Sequence, residues 1–314
     1  MELGNGGQET LWGYGGVDIF LFLSGMGLYH SLKKNSIDTF YKRRLQRILP
    51  SYLPFIIFWF LVRTFISVFI TNDAFDTSVI GWLGFAREFL GNITGLGWFA
   101  AADNQFNWYI SMLFLLYLAA PALYSFIQYV AEKKSRYVLL ALLLIGISIT
   151  FFQSHLLMGM SRIAIFTIGM LIAHLQSERP SGKVPMWLVY VLMIVGIIGL
   201  KYSHVNMADY LGWYGLYWFP FVLITPGLCA LLASLFGFLD KNVVGNVILK
   251  VVEKIGNASF EIYLVHIAMF SFVVNLYFLN TPFLWKFWIP VSILCGMIYK
   301  EMIEFGKRIC KKRS

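Results

Sequence analysis

Charged residues are scarce in this chain of 314 residues: Asp, Glu, Lys and Arg make up 13% of it, against about 25% in soluble globular domains. The three cysteines, Cys229, Cys295 and Cys310, lie in apolar runs or in the basic C-terminal tail, so neither a disulfide framework nor a cysteine-based metal site is supported. No stretch is long and polar enough to fold as a separate soluble domain. Hydrophobic residues make up 59% of the chain and aromatic residues 18%. This balance is typical of an integral membrane protein.

The hydrophobic residues are gathered in long apolar runs. A membrane-spanning helix needs about 20 mostly apolar residues, because backbone amides in lipid have to be paired within the helix. We predict about nine such helices and therefore an all-α fold, a polytopic transmembrane helical bundle that forms a single domain over residues 1–314. The predicted spans are Trp12–Leu32, Ile48–Ile70, Phe106–Val130, Tyr137–Phe152, Leu156–Gln176, Met186–Leu200, Gly212–Leu239, Asn257–Leu279 and Phe283–Ile303.

Positive charge alternates with these spans. The net charge is +9, and lysines and arginines concentrate in every second loop and in the C-terminal tail. By contrast, the first eleven residues contain no Lys or Arg, and residues 71–105 contain only Arg87. This positive-inside pattern predicts an extracytoplasmic N-terminus and a cytoplasmic C-terminus. It assigns the basic excess to topology rather than to nucleic-acid binding.

The largest extracytoplasmic stretch, Thr71–Gln105, is predicted to be an interfacial, partly helical loop. Two interpretations of it stay open: a belt at the membrane surface, or a lid over an extracytoplasmic acceptor site. The residues that suggest them are aromatic side chains interleaved with charges, namely Trp82, Phe85, Arg87, Glu88, Phe89 and Trp98.

The cytoplasmic loop Lys33–Arg47 ends in a cluster of four cations. They are Lys42, Arg43, Arg44 and Arg47. Arg44 and Arg47 are three residues apart and share a helix face. One interpretation is a topology determinant or a contact with anionic lipid. The other is a binding site for a phosphorylated cytoplasmic ligand, since arginine forks suit phosphates.

Ionisable residues inside spans are costly, so each one is a candidate for function with a partner to be found. Five such residues are Asp18, Arg63, Arg162, Glu261 and His266. A structural alternative exists for several of them: a turn beside two glycines for Asp18, snorkelling to the surface for Arg63, and an interhelical hydrogen bond for His266.

Small residues in the first span, at Ser24, Gly25 and Gly27, predict that another helix approaches closely there. In the eighth span Ser259, Tyr263 and His266 line one face. Glu261 points about 140° away from His266 around the helix.

Five segments carry the strongest motif signal. They are Gly15-Gly16-Val17-Asp18-Ile19-Phe20 running into Leu23-Ser24-Gly25; Phe40-Tyr41-x-Arg43-Arg44-x-x-Arg47-Ile48-x-Pro50; Trp108-Tyr109-Ile110; Arg162-Ile163-x-Ile165-Phe166-x-x-Gly169; and Gly256-x-x-Ser259-x-Glu261-Ile262-Tyr263-Leu264-x-His266. Together, in this order and at these depths in the membrane, they resemble the acyltransferase-3 family of bacterial membrane O-acyltransferases.

The resemblance implies transfer of an acyl group, usually acetyl from cytoplasmic acetyl-CoA, to a hydroxyl of an extracytoplasmic or lipid-linked glycan. Acetyl-CoA would be the donor substrate rather than a permanently bound cofactor, and no metal is expected. Membrane lipid, acyl-CoA and the glycan would be the partners, in a bacterial plasma membrane. The family's cytoplasmic Arg-x-x-Arg motif falls on Arg44 and Arg47, with Arg43 and Lys42 beside it as further CoA contacts. The candidate catalytic residues are His266, Glu261 and Arg162.

One departure from the family concerns its additional first helix, which usually carries a basic residue and, about eleven positions later, the histidine thought to be catalytic. None of the five histidines here has Lys or Arg eleven positions before it. We therefore expect either that this is a shortened reading of a longer protein or that the family's base has been lost. His266 is the obvious substitute for it.

Two other functions compete with an active enzyme. One is a catalytically inactive membrane scaffold or sensor of the same fold. The other is a transporter or flippase of glycan intermediates, although paired broken spans are not evident in the sequence.

Overall fold

The computed structural model describes residues 15–66, 77–100, 108–151, 154, 156–178, 185–206, 220–275 and 282–313. Within these ranges every regular element is helical. The helices are α1 (Gly15–Lys34), α2 (Ile37–Ile66), α3 (Thr77–Thr94), α4 (Gly97–Ala100), α5 (Trp108–Ala131), a 3-10 turn (Lys134–Arg136), α6 (Tyr137–Thr150), α7 (Leu157–Met160), α8 (Ile163–Glu178), α9 (Met186–Asn206), α10 (Pro220–Leu239), α11 (Val243–Asn257), α12 (Ser259–Asn275) and α13 (Pro282–Arg313). The predicted all-α fold class is confirmed.

Every predicted span contains a described helix. Five helical stretches are long and apolar enough to cross a membrane, namely Ile37–Val62, Trp108–Ala131, Leu157–Glu178, Met186–Ser203 and Pro220–Leu239. A sixth, Ser259–Met269, is apolar but shorter. By length and composition the chain is therefore a multi-pass membrane protein. The count of about nine spans and the orientation of the termini stay predictions.

The basic motif opens a long helix instead of closing a loop. Helix α2 starts at Ile37, whereas the predicted span starts at Ile48. The reason is local: the Ser36 hydroxyl accepts a hydrogen bond from the Thr39 amide at 3.4 Å, as an N-cap residue does. The cations that follow are therefore held on a helix rather than on an irregular connection.

The chain folds as two compact units. Unit 1 comprises Met1–Lys42 and Trp108–Leu235, and unit 2 comprises Arg43–Asn107 and Phe236–Ser314. Each unit is assembled from two separate parts of the chain. The single-domain organisation stays a prediction.

In unit 1, α1 and α8 have their backbones in direct contact. A Cβ added at Gly25 of α1 would collide with the carbonyl oxygen of Phe166, and one added at Gly169 of α8 would collide with the carbonyl oxygen of Phe22. Small residues allow helices to approach this closely. The predicted close approach is confirmed at Gly25, whereas a Cβ at Gly27 would meet nothing in the described part of the chain.

Helices α1 and α8 run parallel. Their contacts advance together along both helices, from Asp18 with Arg162 to Lys33 with Glu178. Two parallel spans must have an odd number of crossings between them. The three spans predicted between them, the second, third and fourth, meet this condition.

In unit 2, α12 and α13 form an antiparallel pair. A Cβ at Gly296 of α13 would collide with the backbone of Ile262 in α12. Four residues further along α13, Lys300 donates a hydrogen bond at 2.5 Å to the carbonyl oxygen of Asn257, which lies five residues before Ile262. The contacts therefore run in opposite directions along the chain. An antiparallel pair is expected for consecutive spans joined by a short connection.

Helix α3 packs along α2 within unit 2. The Phe60 and Phe89 rings are 5.1 Å apart, and the Tyr52 hydroxyl donates to the carbonyl oxygen of Asn92. Asn92 is 2% exposed and Trp98 is fully buried. The helical character predicted for this stretch is found, and its second half packs against α2. Composition alone does not predict this packing, because aromatic and small residues suit a helix contact as well as the membrane surface. The surface belt and the lid both stay predictions.

A glycine turn ends α3. Gly95 has a φ of 72°, which favours glycine. A Cβ at Gly91 would lie 2.8 Å from the Cα of Gly97, so the start of α4 folds back against the end of α3.

Candidate functional site

Two clusters of largely buried side chains, one in each unit, contain the charged residues Asp18, Arg162 and Glu261 of the motif segments. The arginine cluster, in unit 1, consists of Asp18, Trp108 and Arg162. The glutamate cluster, in unit 2, consists of Ser51, Glu261 and Tyr299.

In the arginine cluster, Arg162 lies between a carboxylate and an aromatic ring. Its Nε is 3.5 Å from Oδ1 of Asp18, and its guanidinium carbon is 4.8 Å from the centre of the Trp108 ring. A terminal guanidinium nitrogen donates to the carbonyl oxygen of Met158. The side chains of Arg162 and Asp18 are 1% and 3% exposed. The guanidinium is thus committed to three partners and is closed off from solvent.

Helix ends put these three residues in place. Trp108 is the first residue of α5, and Arg162 lies in the break between α7 and α8. A cation just before a helix N-terminus is unfavourable because the amide dipoles point their positive end towards it. The carboxylate of Asp18 offsets this cost. Its second oxygen, Oδ2, is buried and has no hydrogen-bond donor among the described residues.

In the glutamate cluster, hydroxyl groups replace the cation. The Ser51 hydroxyl donates to Oε1 of Glu261 at 2.5 Å, and the Tyr299 hydroxyl donates to the Ser51 carbonyl oxygen at 2.6 Å. Ser51 is 1% exposed and Glu261 7% exposed. Helices α2, α12 and α13 therefore meet at one buried carboxylate.

The remaining candidates inside the spans are placed as follows. His266 lies on α12, one turn and a half beyond Glu261, and is partly buried. Arg162 belongs to unit 1, and Glu261 and His266 belong to unit 2. The side chains of Arg63 and His204, and residue His155, lie outside the described parts of the chain. Among the described residues no group of three His, Cys, Asp or Glu side chains could hold a metal ion.

The four cations of the basic motif lie in the first three turns of α2. Lys42, Arg43 and Arg47 are exposed and Arg44 is partly buried. The three arginines fall within an arc of about 100° around the helix. The residues just before them are anchored in unit 1, where Phe40 is fully buried and the Tyr41 hydroxyl donates to the carbonyl oxygen of Leu118 at 2.9 Å. An arginine face of this kind can bind phosphate groups.

The far end of the α1–α8 pair is polar. The Tyr29 hydroxyl is hydrogen-bonded to Nδ1 of His174 at 2.9 Å. Beyond it, Lys33 contacts Glu178 and donates to Ser177 at 2.5 Å. The hydrogen bond that Lys33 donates to Glu178 raises the pKa of Lys33 above its ordinary value. This pair is exposed, in contrast to the ion pair at the other end of the same helices.

Sequence reasoning identified Asp18, Arg162 and Glu261 singly but missed their partners. The pairing of Asp18 with Arg162 had a signal in the sequence: two opposite charges near the same predicted membrane depth in two spans that both run inward. Ser51 and Tyr299 had none, because a serine and a tyrosine in an apolar span are unremarkable by composition.

The motif segments supply the residues of the arginine cluster and of the contact between α1 and α8. Asp18, Trp108 and Arg162 come from three of the five segments, and Gly25 and Gly169, which place α1 against α8, come from two of those three. A family model described as an acyltransferase domain matches residues 3–299, which include all five segments. Comparisons with curated proteins and with solved structures give no significant match.

Proposed function

The chain belongs to the acyltransferase-3 family, and from this membership we propose that it transfers an acetyl group from cytoplasmic acetyl-CoA to a hydroxyl of an extracytoplasmic or lipid-linked glycan in a bacterial plasma membrane. The single observation that carries the proposal is the family match over residues 3–299 of a chain with several membrane-crossing helices. A membrane acyltransferase follows directly from it. The acetyl donor and the glycan acceptor are the finer part of the proposal.

The reaction needs three kinds of group. The acceptor hydroxyl oxygen attacks the thioester carbonyl carbon, a C–O bond forms, the C–S bond breaks and CoA leaves as its thiol. A base has to take the hydroxyl proton. A donor of hydrogen bonds or positive charge has to stabilise the oxyanion that forms at the carbonyl. A further set of cations has to hold the phosphates of CoA.

We propose that Arg44 and Arg47 bind the phosphates of CoA and that Arg43 and Lys42 make further contacts with them. Three of these four side chains are exposed, so a soluble ligand can reach them. Their helix is capped at Ser36, which fixes the arginine face before a ligand binds. A preformed arginine face binds phosphate at a lower entropic cost than a flexible loop.

We propose that His266, the partly buried histidine on α12, is the base that takes the proton from the acceptor hydroxyl. Glu261 is a positioning residue in this proposal: its carboxylate is hydrogen-bonded to Ser51, and it holds α12, and with it His266, against α2. Arg162 is also a positioning residue, because its guanidinium is 1% exposed and already has three partners. It fixes the starts of α5 and α8 around Asp18.

The assay for CoA binding uses Arg44→Ala/Arg47→Ala and a charge-matched control, Lys307→Ala/Arg308→Ala, which removes two cations from the far end of α13. Charge-assisted contacts contribute about 1.5–3 kcal/mol each, so the arginine variant should bind CoA about a hundredfold more weakly or worse. The control should bind as wild type does. Calorimetry on purified protein measures both, and equal binding by the two variants would overturn the assignment.

Turnover is tested separately by following CoA thiol release from acetyl-CoA with glycan present. His266→Gln should lower the rate about a hundredfold or more while CoA binding is unchanged. Wild-type protein that binds CoA but never releases thiol with any glycan would support the inactive scaffold. Glycan movement across vesicles without acetyl-CoA would support the flippase.

A further inference from the structure

Helix α11 has an apolar face with no protein covering it in the described part of the chain. Val243, Val244, Val247 and Val251 are 82%, 72%, 58% and 55% exposed. Along the chain, the helix follows α10, which is long and apolar enough to cross a membrane, and precedes the apolar α12. An amphipathic helix between membrane helices buries such a face in the lipid interface.

Both ends of α11 are hydrogen-bonded, and its C-terminus is joined to α13. Its N-terminus is capped by Asn242, whose side-chain oxygen accepts a hydrogen bond from the Gly245 amide at 3.1 Å. Its C-terminal carbonyl, at Asn257, accepts a hydrogen bond from Lys300 of α13 at 2.5 Å. A cation at this end also suits the helix dipole. The helix is therefore held in a set place beside α13.

A groove of about 440 Å³ lies where the last turn of α11 meets α13. Its wall is a stripe of apolar residues along α13, including Leu294, Ile298, Met302 and Phe305. The stripe is about 16 Å long from Leu294 to Phe305. The part of the stripe from Glu301 to Leu294 is about 10 Å long, which is about two thirds of one lipid tail, since a tail spans half of the roughly 30 Å hydrocarbon thickness of a bilayer.

Two opposite charges also line this groove. Lys254 of α11 and Glu301 of α13 are both exposed, and neither forms an ion pair with a described side chain. A purely anionic ligand would be repelled by Glu301, and a purely cationic one by Lys254. A headgroup that carries both a phosphate and an ammonium group satisfies both.

We propose that this groove binds a phospholipid of the phosphatidylethanolamine type. Its phosphate contacts Lys254, its ammonium group contacts Glu301, and one acyl chain runs from this headgroup along the part of the stripe between Glu301 and Leu294. The bound lipid occupies the groove between α11 and α13 and stabilises the position of the amphipathic helix at the membrane surface. This site is independent of the arginine motif and of the proposed acetyl transfer.

The test measures which lipids stay bound to the purified full-length chain, by native mass spectrometry after exposure to equal amounts of phosphatidylethanolamine and phosphatidylglycerol with the same acyl chains. Wild type should retain the former over the latter by about fivefold, the size expected of partly exposed charge pairs. Glu301→Lys should reverse the preference, because the ammonium group loses its partner. Lys254→Glu/Glu301→Lys, which exchanges the charges, should restore it.

The controls separate headgroup selection from loss of the fold. Lys250→Gln changes a lysine of α11 outside the groove and should leave the lipid preference unchanged. Ile298→Trp should fill the groove and lower the retention of both lipids, with helix content by circular dichroism unchanged. If wild type and Glu301→Lys retain the two lipids in the same ratio, the groove is a nonspecific lipid contact and the proposal is wrong.

Discussion

Asp18 and Glu261 are both buried carboxylates, but they are satisfied in different ways. Asp18 faces the fixed positive charge of Arg162, while Glu261 accepts a hydrogen bond from Ser51. An arginine remains charged at any pH the protein meets, so Asp18 always faces a positive charge. The Ser51 hydroxyl is neutral, and it can rotate and either donate or accept a hydrogen bond. The glutamate cluster is therefore the more adaptable of the two, and the arginine cluster the more structural.

The largest effect should come from breaking the ion pair. Arg162→Met removes the cation and leaves the buried carboxylate of Asp18 without its charge partner. Loss of one member of a buried ion pair costs about 3–5 kcal/mol of folding free energy. Equilibrium unfolding in mixed detergent and denaturing surfactant measures it.

The double variant Asp18→Asn/Arg162→Met removes both charges. It should recover most of the stability lost in Arg162→Met, because no unpaired charge is left. A double variant as unstable as the single one would show that Arg162 acts through its Trp108 and Met158 contacts and not through Asp18.

The next largest effect concerns the backbone contact that positions the arginine cluster. Gly25→Ala places a methyl group against the Phe166 carbonyl oxygen, and overpacking of this kind costs about 1–3 kcal/mol. Gly27→Ala is the matched control, two residues away on the same helix. It should be neutral or stabilising by about 0.5–1 kcal/mol, since alanine favours a helix over glycine. Thermal unfolding of the two variants, monitored by circular dichroism, compares them.

The difference between these two glycines shows what the sequence could and could not tell. The Ser24-Gly25-x-Gly27 run predicted that a helix approaches α1, but it did not say which glycine makes the contact or that α8 is the partner. Which glycine makes the contact, and with which helix, depends on tertiary packing. This cannot be read from the residues around the glycines alone. The helices themselves were predictable because apolar runs of this length have few other solutions in lipid.

The candidate site divides in the same way. The charged members were predictable from their cost inside a membrane, which makes Asp18, Arg162 and Glu261 conspicuous. Their neutral partners were not, because serine and tyrosine are tolerated at many positions in a span. The start of α2 was missed for a different reason: the helix begins just after the Ser36 cap, eleven residues before the apolar run that defined the predicted span.

The glutamate cluster should respond more weakly than the arginine cluster. Ser51→Ala removes the donor to Glu261 and should cost about 1–2 kcal/mol, and Tyr299→Phe, which removes a bond to a neutral carbonyl, about 0.5–1.5 kcal/mol. The same unfolding assay measures both. Glu261→Gln keeps an acceptor oxygen for Ser51 and should cost less than Ser51→Ala. A loss in Ser51→Ala as large as that in Arg162→Met would remove the contrast between the clusters.

The smallest effect is expected at the other end of α1 and α8, where Lys33 and Glu178 form an exposed pair. Exposed ion pairs contribute little, because water and salt screen them. The hydrogen bond that Lys33 donates to Glu178 raises the pKa of Lys33, so whatever stability the pair gives is fully present below the ordinary value of 10.5 and is lost as the pH rises through the raised value. Because the pair is exposed, Lys33→Gln should lower the unfolding temperature only slightly at neutral pH, and added salt should remove this small difference. A salt-sensitive loss of stability in Lys33→Gln as large as that in Arg162→Met would contradict this prediction. Burial would then not explain the difference between the Lys33–Glu178 pair and the Asp18–Arg162 pair.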